Sequence, residues 1–256
     1  MMRLENTEVR LWFVFCREIQ DEALLARYRT LLSEVERQQE RRFYFPQDRH
    51  RYLLTRALVR TVLSRYLPVL PQDWQFAADE HGRPHIVNSV PGVDDLSFNI
   101  SHTREIVMLG VTKRSALGVD VEGANADTAT VALADRYFSV AEAASLRALP
   151  QAAQSERFFD YWTLKESYIK ARGLGLALPL QGFGFEIRGP QLSLQGSPAV
   201  QDAAARWRLW LLRPSHDHTA AVCVERTGIE PQTLVSSKIV PLAEEWPLDP
   251  IIRGQS

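Results

Sequence analysis

The pattern of hydrophobic and polar positions predicts a chain in which strands and helices alternate. Short apolar runs are typical of strands buried in a core. Segments with helical spacing lie between them, and Ser33 and Glu36 have the spacing of a capping box at the start of one such helix. In the first half, the predicted strands are 9–16, 74–78, 83–87, 96–100 and 106–112, and the predicted helices are 21–32, 34–44 and 49–67, the last capped by Asp48.

The second half continues the same mixture of strands and helices. Gly173 and Gly175 are typical of the C-cap and turn that end a long helix. Beyond Gly228, four prolines punctuate the chain and predict a partly extended or mobile tail. The predicted helices here are 127–136, one that begins at 138, and 154–172, and the predicted strands are 115–122, 183–188, 191–194, 206–212 and 219–225.

These elements predict an α/β fold, in the broad α+β sense, made of two halves of similar size. The first half covers 1–116, the second covers 117–228, and residues 229–256 form a C-terminal extension. With 256 residues, of which 45% are hydrophobic, the chain is long enough to bury a core. No internal repeat in the sequence is clear enough to relate the halves to each other.

Charge and cysteine content exclude several functional classes. The net charge of −1 offers no overall field to attract nucleic acid or a membrane surface. No apolar run approaches the length of a membrane span or a secretory signal, so we expect a cytoplasmic protein. Cys16 and Cys223 each lie in an apolar run and are expected to be buried free thiols.

Despite the net charge near zero, eight arginines from Arg37 to Arg65 form a local basic region suited to phosphate.

Two short stretches carry the candidate chemistry. Asp120 and Glu122 are two apart in a predicted strand, so both carboxylates leave the same face, and Gly118 before them permits close backbone approach. Glu166 and Lys170 are four apart in a predicted helix and are neighbours on its surface. Three carboxylates and an ammonium group are the parts of a Mg²⁺ site that handles phosphate. Each pair taken alone is more often a solvated strand end or a surface ion pair.

A Ser-His dipeptide at the end of a predicted strand does not indicate a serine hydrolase. Ser101 and His102 are adjacent in the chain, so their side chains point to opposite faces of the strand. The chain also lacks the Gly-x-Ser-x-Gly motif that places a nucleophilic serine at the tip of a turn.

The two chemical stretches, in this order and at this separation, resemble the signature of the surfactin-type phosphopantetheinyl transferases. That signature joins Gly-(Ile/Val)-Asp-x-Glu to a later Trp-x-x-Lys-Glu-(Ser/Ala)-x-x-Lys, found here at 118–122 and 162–170. The resemblance extends over about 31–224. Further matching motifs are Arg-Arg-Phe-Tyr at 41–44, Phe-Asn-Ile-Ser-His at 98–102, Tyr-Phe-Ser-x-x-Glu at 137–142 and Gly-Leu-x-Leu-Pro-Leu at 175–180.

The resemblance implies an enzyme that transfers the 4'-phosphopantetheine arm of coenzyme A to a serine hydroxyl of an acyl or peptidyl carrier protein, releasing 3',5'-ADP. It also implies two α/β halves related by a pseudo-two-fold axis, with coenzyme A in the cleft between them. A monomer of this kind needs no partner subunit to complete its site. The implied cofactor is Mg²⁺, held by Asp120, Glu122 and Glu166.

The resemblance also assigns roles to individual residues. Lys170 stabilises charge on the phosphates, and Glu166 takes the serine proton directly or through water. Lys165 is a lesser candidate. It either orients phosphate or packs the aliphatic part of its side chain against the protein. Glu142 is a coenzyme contact in the family, but it also has capping-box spacing from Ser139, and both interpretations stay open. The remaining coenzyme A contacts implied by the resemblance are Arg51, Arg83, Ser101 and His102.

One departure from the family concerns the 3'-phosphate of coenzyme A. Relatives often carry phosphate-binding lysines at two positions that are Glu36 and Gln39 in this chain. Nearby arginines could substitute for them, namely Arg37, Arg41 or Arg42.

Two alternatives to this transferase remain. One is a different Mg²⁺-dependent nucleotide or phosphate enzyme with convergent carboxylates. The other is a catalytically inactive module that binds coenzyme A or a carrier protein. The Ser-His and Gly-Arg-Pro motifs argue against the first, and the intact carboxylates and Lys170 argue against the second. Trp162 is expected to anchor its helix by packing rather than to take part in the chemistry.

Overall fold

The computed structural model describes the chain in two units. One unit consists of Met1–Arg114 and Thr233–Leu248, and the other of Ser115–Gln232 and Asp249–Ser256. The chain therefore leaves the first unit, builds most of the second, returns to the first and then adds to the second again. The described residues are 1–123, 131–175, 178–196 and 204–256.

Helices and strands occur in both units, as the sequence predicted. Among the described residues, the helices are α1 (Glu22–Leu31), α2 (Glu34–Arg42), α3 (Pro46–Leu63), α4 (Val131–Tyr137), α5 (Val140–Arg147) and α6 (Gln151–Arg172). The strands are β1 (Glu8–Phe15), β2 (Phe76–Ala78), β3 (Pro84–Ile86), β4 (Leu96–His102), β5 (Ile106–Lys113), β6 (Leu117–Gly123), β7 (Phe183–Arg188), β8 (Gln191–Gly196), β9 (Trp207–Ser215), β10 (His218–Glu225), β11 (Thr233–Val240), β12 (Glu244–Pro247) and β13 (Ile251–Gln255).

The main sheet of the first unit has the strand order β12-β11-β1-β5-β4. Strand β1 lies at its centre, antiparallel to β5 and parallel to β11. Helix α3 presents a stripe of apolar residues four apart, Leu54, Leu58 and Val62, and all three are fully buried. They join Trp12 of β1 and Leu109 of β5 in one core, because a helix stripe and a sheet face must bury their apolar sides together.

The sheet of the second unit has the strand order β6-β10-β9-β13-β8-β7. Helix α6 lies against β6 and β10 and buries Leu164, Tyr168 and Ala171. It ends at Gly173, which adopts the left-handed conformation with φ 66°. Gly175 also has a positive φ, of 52°. The predicted C-cap and turn are therefore confirmed.

Helix α3 begins earlier than predicted. The sequence predicted Asp48 as the cap of a helix starting at 49, but α3 begins at Pro46 and Phe45 occupies the N-cap position without a side-chain cap. Proline suits the first helical position because its φ is already helical and its missing N–H is not needed there. Asp48 instead lies in the first turn and pairs with Arg51 at 3.0 Å.

The segment after Gly228 is partly extended, as one of the two predicted alternatives has it, but it is paired into the sheets as strands β11, β12 and β13 and is not a mobile tail. Strand β11 pairs with β1 in the first unit, and β13 lies between β9 and β8 in the second. Tyr28 Oη also donates to the Pro241 carbonyl at 2.7 Å. The prolines do not prevent pairing, because Pro247 ends β12 while Pro241 and Pro250 lie outside the strands.

Several smaller predictions have a clear outcome. The capping box of Ser33 and Glu36 is present. Cys16 and Cys223 are buried free thiols. The helix predicted over 127–136 is described from 131 onward, and its first residues lie outside the described part. Within the part of the chain that the structure describes, no helix is both long enough and apolar enough to cross a membrane.

Candidate active site

The candidate site forms where strand β6 meets helix α6 with no side chain between their backbones. A Cβ atom on Gly118 would stand 1.9 Å from the carbonyl oxygen of Ser167 and 2.4 Å from the amide nitrogen of Ala171. Both neighbours are backbone atoms, so neither can rotate away, and only glycine fits without a shift of the helix. The close backbone approach predicted at Gly118 is confirmed.

This contact places the Lys170 ammonium beside the strand. Lys170 Nζ lies 2.7 Å from Asp120 Oδ1 and donates to the Val119 carbonyl at 3.1 Å. The Asp120 side chain is 5% exposed and that of Lys170 is 27% exposed, so the pair lies at the border of the core. A charge-assisted bond in such a place is stronger than one on the open surface. The two predicted motifs therefore meet through this ion pair.

Glu122 and Glu166 lie within electrostatic reach of that pair. Burial raises the pKa of Glu122 to about 7, repulsion from Asp120 and Glu166 raises it too, and Lys170 opposes the shift. Burial also raises the pKa of Glu166, again with a contribution from Asp120 and with Lys170 opposing. Carboxylates affect each other's pKa in this way only when they are close together. Asp120, Glu122 and Glu166 therefore share one anionic cluster, which we call the carboxylate cluster.

The carboxylate cluster has the chemistry of a hard-cation site, although its oxygens are not gathered around one point. No group of three His, Cys, Asp or Glu side chains among the described residues is arranged to hold a metal ion. The donors are nevertheless all carboxylate oxygens, and their mutual repulsion would be relieved by a divalent cation. The residues thus fit Mg²⁺ by ligand type and by charge.

Trp162 contributes more than the packing expected from the sequence. Its ring stacks on Phe158 with centroids 6.2 Å apart and meets Tyr137 edge-on at 5.4 Å. The Trp162 side chain is also a polar neighbour of the Glu122 carboxylate and lowers the pKa of Glu122 against the effect of burial. Sequence reasoning missed this contact. The available signal was that a half-buried indole N–H usually finds an acceptor.

Glu142 and Lys165 form a second ion pair, and this one is fully buried. Lys165 Nζ lies 2.8 Å from Glu142 Oε2, and the two side chains are 0% and 1% exposed. The ammonium also donates to the carbonyls of Leu180 at 2.8 Å and Phe183 at 2.6 Å. Burial lowers the pKa of Lys165 while Glu142 opposes that shift. The N–H donors of the Lys165 ammonium are therefore directed at acceptors of the protein core.

The Glu142 carboxylate caps a helix and a strand at once. Its Oε2 accepts from the Ser139 amide at 2.8 Å, and its Oε1 accepts from the Phe185 amide at 2.9 Å. Ser139 Oγ accepts from the Glu142 amide in return, so the capping box considered in the sequence analysis is present. The backbone of Gly184 packs against it, since a Cβ there would lie 2.5 Å from Ser139 Oγ. A coenzyme contact by Glu142 or Lys165 stays a prediction.

Ser101 and His102, implied as coenzyme contacts, lie at the end of β4 in the first unit. Ser101 is buried and His102 is exposed. The two side chains therefore lie on opposite faces of the strand, as expected for neighbours in extended chain. His102 thus faces solvent, whereas Ser101 faces the protein.

Arg51 lies near the same end of that sheet. The neighbouring His50 has its Nε2 atom 3.0 Å from the Cys16 carbonyl oxygen, just beyond the end of β1. Strands β1 and β4 both end opposite the start of β5, so Arg51 and His102 belong to one end of the sheet. The Arg51 guanidinium is 3.0 Å from Asp48 and is 20% exposed.

Arg83 lies in the tight turn between β2 and β3. The Asp79 carboxylate closes this turn by accepting from the amides of His81 and Arg83, both at 2.9 Å. Gly82 between them has a φ of 78°, which glycine adopts without strain. The hairpin packs on the main sheet through Phe76, whose ring centroid is 5.9 Å from that of Phe98.

The departure from the family at position 36 has a structural explanation. The Glu36 carboxylate accepts from Arg60 at 2.6 and 3.0 Å and from the Ser33 amide at 2.9 Å. Arg60 is itself 1% exposed, so this is a buried structural pair. Gln39 on the same helix is exposed. Glu36 thus has a structural role in the first unit, and its negative charge is already paired with Arg60.

Both halves of the chain match known protein families. Residues 116–223 match the family described as the 4'-phosphopantetheinyl transferase superfamily. Residues 20–114 match the family described as 4'-phosphopantetheinyl transferase, N-terminal. The first match includes the carboxylate cluster and Lys170, and the second includes Arg51, Arg83, Ser101 and His102.

Individual relatives agree with the family matches. The chain is 32% identical over 232 residues to the 4'-phosphopantetheinyl transferase HetI of Nostoc sp., covering 90% of this chain and 93% of that protein. It is 35% identical over 161 residues to the 4'-phosphopantetheinyl transferase Sfp of Bacillus subtilis, covering 63% and 69%. It is 31% identical over 216 residues to a phosphopantetheinyl transferase of Thraustochytrium sp., covering 80% and 74%. This chain therefore belongs to the 4'-phosphopantetheinyl transferase superfamily and is an enzyme of the surfactin type.

Proposed function

We propose that this enzyme transfers the 4'-phosphopantetheine arm of coenzyme A to a serine hydroxyl of an apo acyl or peptidyl carrier protein. The reaction requires Mg²⁺ and releases 3',5'-ADP. The observation that carries this proposal is the ion pair of Lys170 with Asp120, which joins the two signature motifs beside Glu122 and Glu166. An ammonium group next to a carboxylate cluster suits a substrate that brings both phosphate and a divalent cation.

The chemical step exchanges one phosphorus–oxygen bond for another. The serine oxygen forms a bond to the β-phosphorus of coenzyme A, and the bond from that phosphorus to the bridging oxygen breaks. The electron pair leaves with 3',5'-ADP. Lys170 stabilises the negative charge that develops on the bridging or leaving oxygen, since its ammonium is positioned at the edge of the core.

The charge of the diphosphate would be offset further by a metal ion held in the carboxylate cluster. We assign Asp120, Glu122 and Glu166 as the residues that hold Mg²⁺, because they are the carboxylates of one cluster. When bound, the ion supplies positive charge that offsets the charge of the transferred phosphate. The repulsion between these carboxylates, which helps to raise the pKa of Glu122 and Glu166, would be relieved by a nearby cation.

The serine proton needs an acceptor within the same site. We assign this role to Glu166, acting directly or through a water molecule. Glu166 belongs to the carboxylate cluster beside Asp120 and Lys170, so its carboxylate is part of the site that we assign to the transfer. The proton of the carrier serine then resides on the Glu166 carboxylate until it returns to solvent.

Coenzyme A itself requires contacts away from the reacting phosphate. We assign Arg51, Arg83, Ser101 and His102 to this role because they match the motifs of the family. The exposed His102 and the nearby Arg51 at one end of the first unit's sheet support the assignment. Glu142 and Lys165 are assigned to support rather than to direct contact, since both are buried in their own ion pair.

The carrier protein and the setting of the reaction are further parts of the proposal. The arginines from Arg37 to Arg65 give a basic region that suits an acidic carrier. The buried free thiols of Cys16 and Cys223 support a reducing compartment such as the cytoplasm. We propose that the enzyme acts there as a monomer.

Intact-mass spectrometry of an apo carrier protein tests the proposal directly. The carrier is incubated with this enzyme, coenzyme A and Mg²⁺, using peptidyl, polyketide and fatty-acyl carriers in parallel. We expect a gain of one phosphopantetheine group and its loss when EDTA is added. Mass gain that persists in EDTA would overturn the metal assignment. Bound coenzyme A without mass gain on any carrier would favour an inactive binding module.

A further inference from the structure

Strand β13 lies inside the sheet of the second unit, between β9 and β8. It pairs antiparallel with β9 from Ile251, opposite Arg213, to Gln255, opposite Trp210. Gln255 also donates from its amide to the Pro190 carbonyl at 2.9 Å, which ties the strand to the turn before β8. Strand β13 is therefore part of the same sheet as β6, which carries two of the cluster's carboxylates.

The pairing of β13 with β9 is interrupted by a bulge at Arg253. The register shifts between Ile252 and Gly254, so Arg253 is the extra residue. A bulge redirects a side chain that regular alternation would place elsewhere. The adjacent Gly254 packs closely against the Leu192 side chain, since a Cβ there would stand 2.9 Å from Leu192 Cδ2. From this bulge the Arg253 side chain reaches helix α6.

The Arg253 guanidinium binds two carboxylates on helix α6. Its Nη1 lies 2.5 Å from Asp160 Oδ1, and its Nη2 lies 2.9 Å from Glu156 Oε1. Arg213 of β9 binds the same Glu156 oxygen at 2.5 Å, and Arg157 lies 3.5 Å from Asp160 Oδ2. A planar guanidinium that spans carboxylates one helical turn apart fixes both the rotation of the helix about its axis and its position along that axis.

Asp160 makes this contact necessary. The residue is 0% exposed, and burial raises its pKa to about 6 while Arg253 and Arg157 oppose that shift. A buried carboxylate that loses its main partner is strongly destabilising unless the helix moves to bring it to water. Helix α6 is continuous from Gln151 to Arg172, so a movement at Asp160 is transmitted to Glu166, about 9 Å farther along the axis.

We propose that Arg253 is a positioning residue for the transferase site. It holds the first half of helix α6 through Asp160 and Glu156, and thereby sets Glu166 and Lys170 against Asp120. Arg253 contacts none of those three site residues among the described interactions, so its effect travels through the helix. This inference rests on the proposed function for its kinetic test, because the effect is read as phosphopantetheine transfer.

The variant Arg253→Met tests the inference by kinetics. We expect kcat to fall by about ten- to hundredfold, as for a displacement of about 1 Å in a catalytic group. The Mg²⁺ concentration for half-maximal rate should rise, while KM for coenzyme A changes less than twofold. Arg253→Lys should recover part of kcat, since a lysine reaches one carboxylate. The control is Arg188→Met, which removes an arginine that is 75% exposed on β7.

The double variant Arg253→Met/Asp160→Asn separates positioning from stability. Removing the buried charge should restore thermal stability toward that of the wild type. The rate should stay low, because the tie between β13 and the helix is still absent. If the rate recovers together with stability, or if Arg253→Met alone keeps the wild-type kcat and Mg²⁺ dependence, Arg253 is structural only and the inference is wrong.

Hydrogen exchange gives a readout that does not depend on turnover. Amide exchange in residues 162–172 of helix α6 should be faster in Arg253→Met than in the wild type and unchanged in Arg188→Met. A wild-type protein that fails to modify any carrier would contradict the proposed function, and the exchange data would still decide whether Arg253 orders this helix. Unchanged exchange in Arg253→Met would overturn the inference.

Discussion

The carbonyl oxygen of Ser167 lies 1.9 Å from the point where a Cβ atom on Gly118 would stand. This relationship sets the register between strand β6 and helix α6, because backbone atoms on both sides leave no room to slide. Three residues beyond Ser167, Lys170 reaches Asp120 at 2.7 Å. The distance between the ammonium and the carboxylate cluster is thus controlled by a residue that has no side chain.

Gly118→Ala should disrupt both the fold and the activity. The added methyl group would force the helix away from the strand, and we expect a loss of at least about 3 kcal/mol in the free energy of unfolding, at the upper end for overpacking. Urea denaturation measures this loss. Gly123→Ala is the matched control, because it lies on the same strand and its Cβ would meet nothing within 4 Å. Equal stability of the two variants would contradict the packing described here.

Asp120→Ala and Glu166→Ala should abolish transfer while the fold is retained. Each removes a charge from the carboxylate cluster rather than volume from the apolar core, and we expect a decrease in kcat of at least about 100-fold. Carrier modification by mass spectrometry gives the rate, and circular dichroism checks the fold. Asp217→Ala, which removes an exposed carboxylate in the turn between β9 and β10, should behave like the wild type. Near-normal turnover in either site variant would refute the metal assignment.

Lys165→Met should differ from Lys170→Met although both remove a lysine from the same helix. Lys165 is fully buried against Glu142, so its loss leaves an unmatched buried carboxylate and should reduce stability by about 3–5 kcal/mol. Lys170→Met should lose transfer with a smaller loss of stability than Lys165→Met, because the Lys170 side chain is 27% exposed. Lys165→Met/Glu142→Gln should recover part of the lost stability. A large rise in KM for coenzyme A in stable Lys165 variants would instead support a direct contact.

The buried Asp160 should make stability depend on pH in a defined direction. Its pKa is raised from 3.8 to about 6 in the folded protein, so between these values the folded state binds more protons than the unfolded state. The contribution of Asp160 to the free energy of unfolding therefore falls as pH rises from about 4 to about 6, by at most about 3 kcal/mol. Above about pH 7 it is constant.

Urea denaturation of the wild type and Asp160→Asn across this range measures the effect. The stability of the wild type relative to the variant should decrease from pH 4 to pH 6 and then level off. A difference that stays constant with pH, or one that grows as pH rises, would show that Asp160 is not held in the environment described here.

Local signals predicted much of the structure because they depend on neighbouring residues in the chain. The capping boxes at Ser33 and Ser139 need only a glutamate three residues later, and the C-cap at Gly173 needs only a residue that tolerates positive φ. The pattern of apolar residues predicted the strands around Asp120 and the helix around Glu166. Helix boundaries were predicted less accurately than the helices themselves, as the early start of α3 at Pro46 shows.

Partners that are distant in the sequence could not be predicted in this way. The sequence places Lys165 and Lys170 alike on one helix, yet one is buried against Glu142 and the other reaches Asp120. Nothing near Trp162 in the chain shows that its side chain lowers the pKa of Glu122. These contacts depend on which elements pack together, and periodicity within one element carries no information about that.

The sequence by itself determined the identity of the candidate chemistry and the local elements that carry it. Residue types at short spacings, such as Asp120 with Glu122, are fixed by the chain and by the geometry of strand and helix. The tertiary structure decided the places of β11 and β13 and the role of Arg253. Strand pairing and burial bring together residues far apart in the chain, and their energies depend on the whole fold.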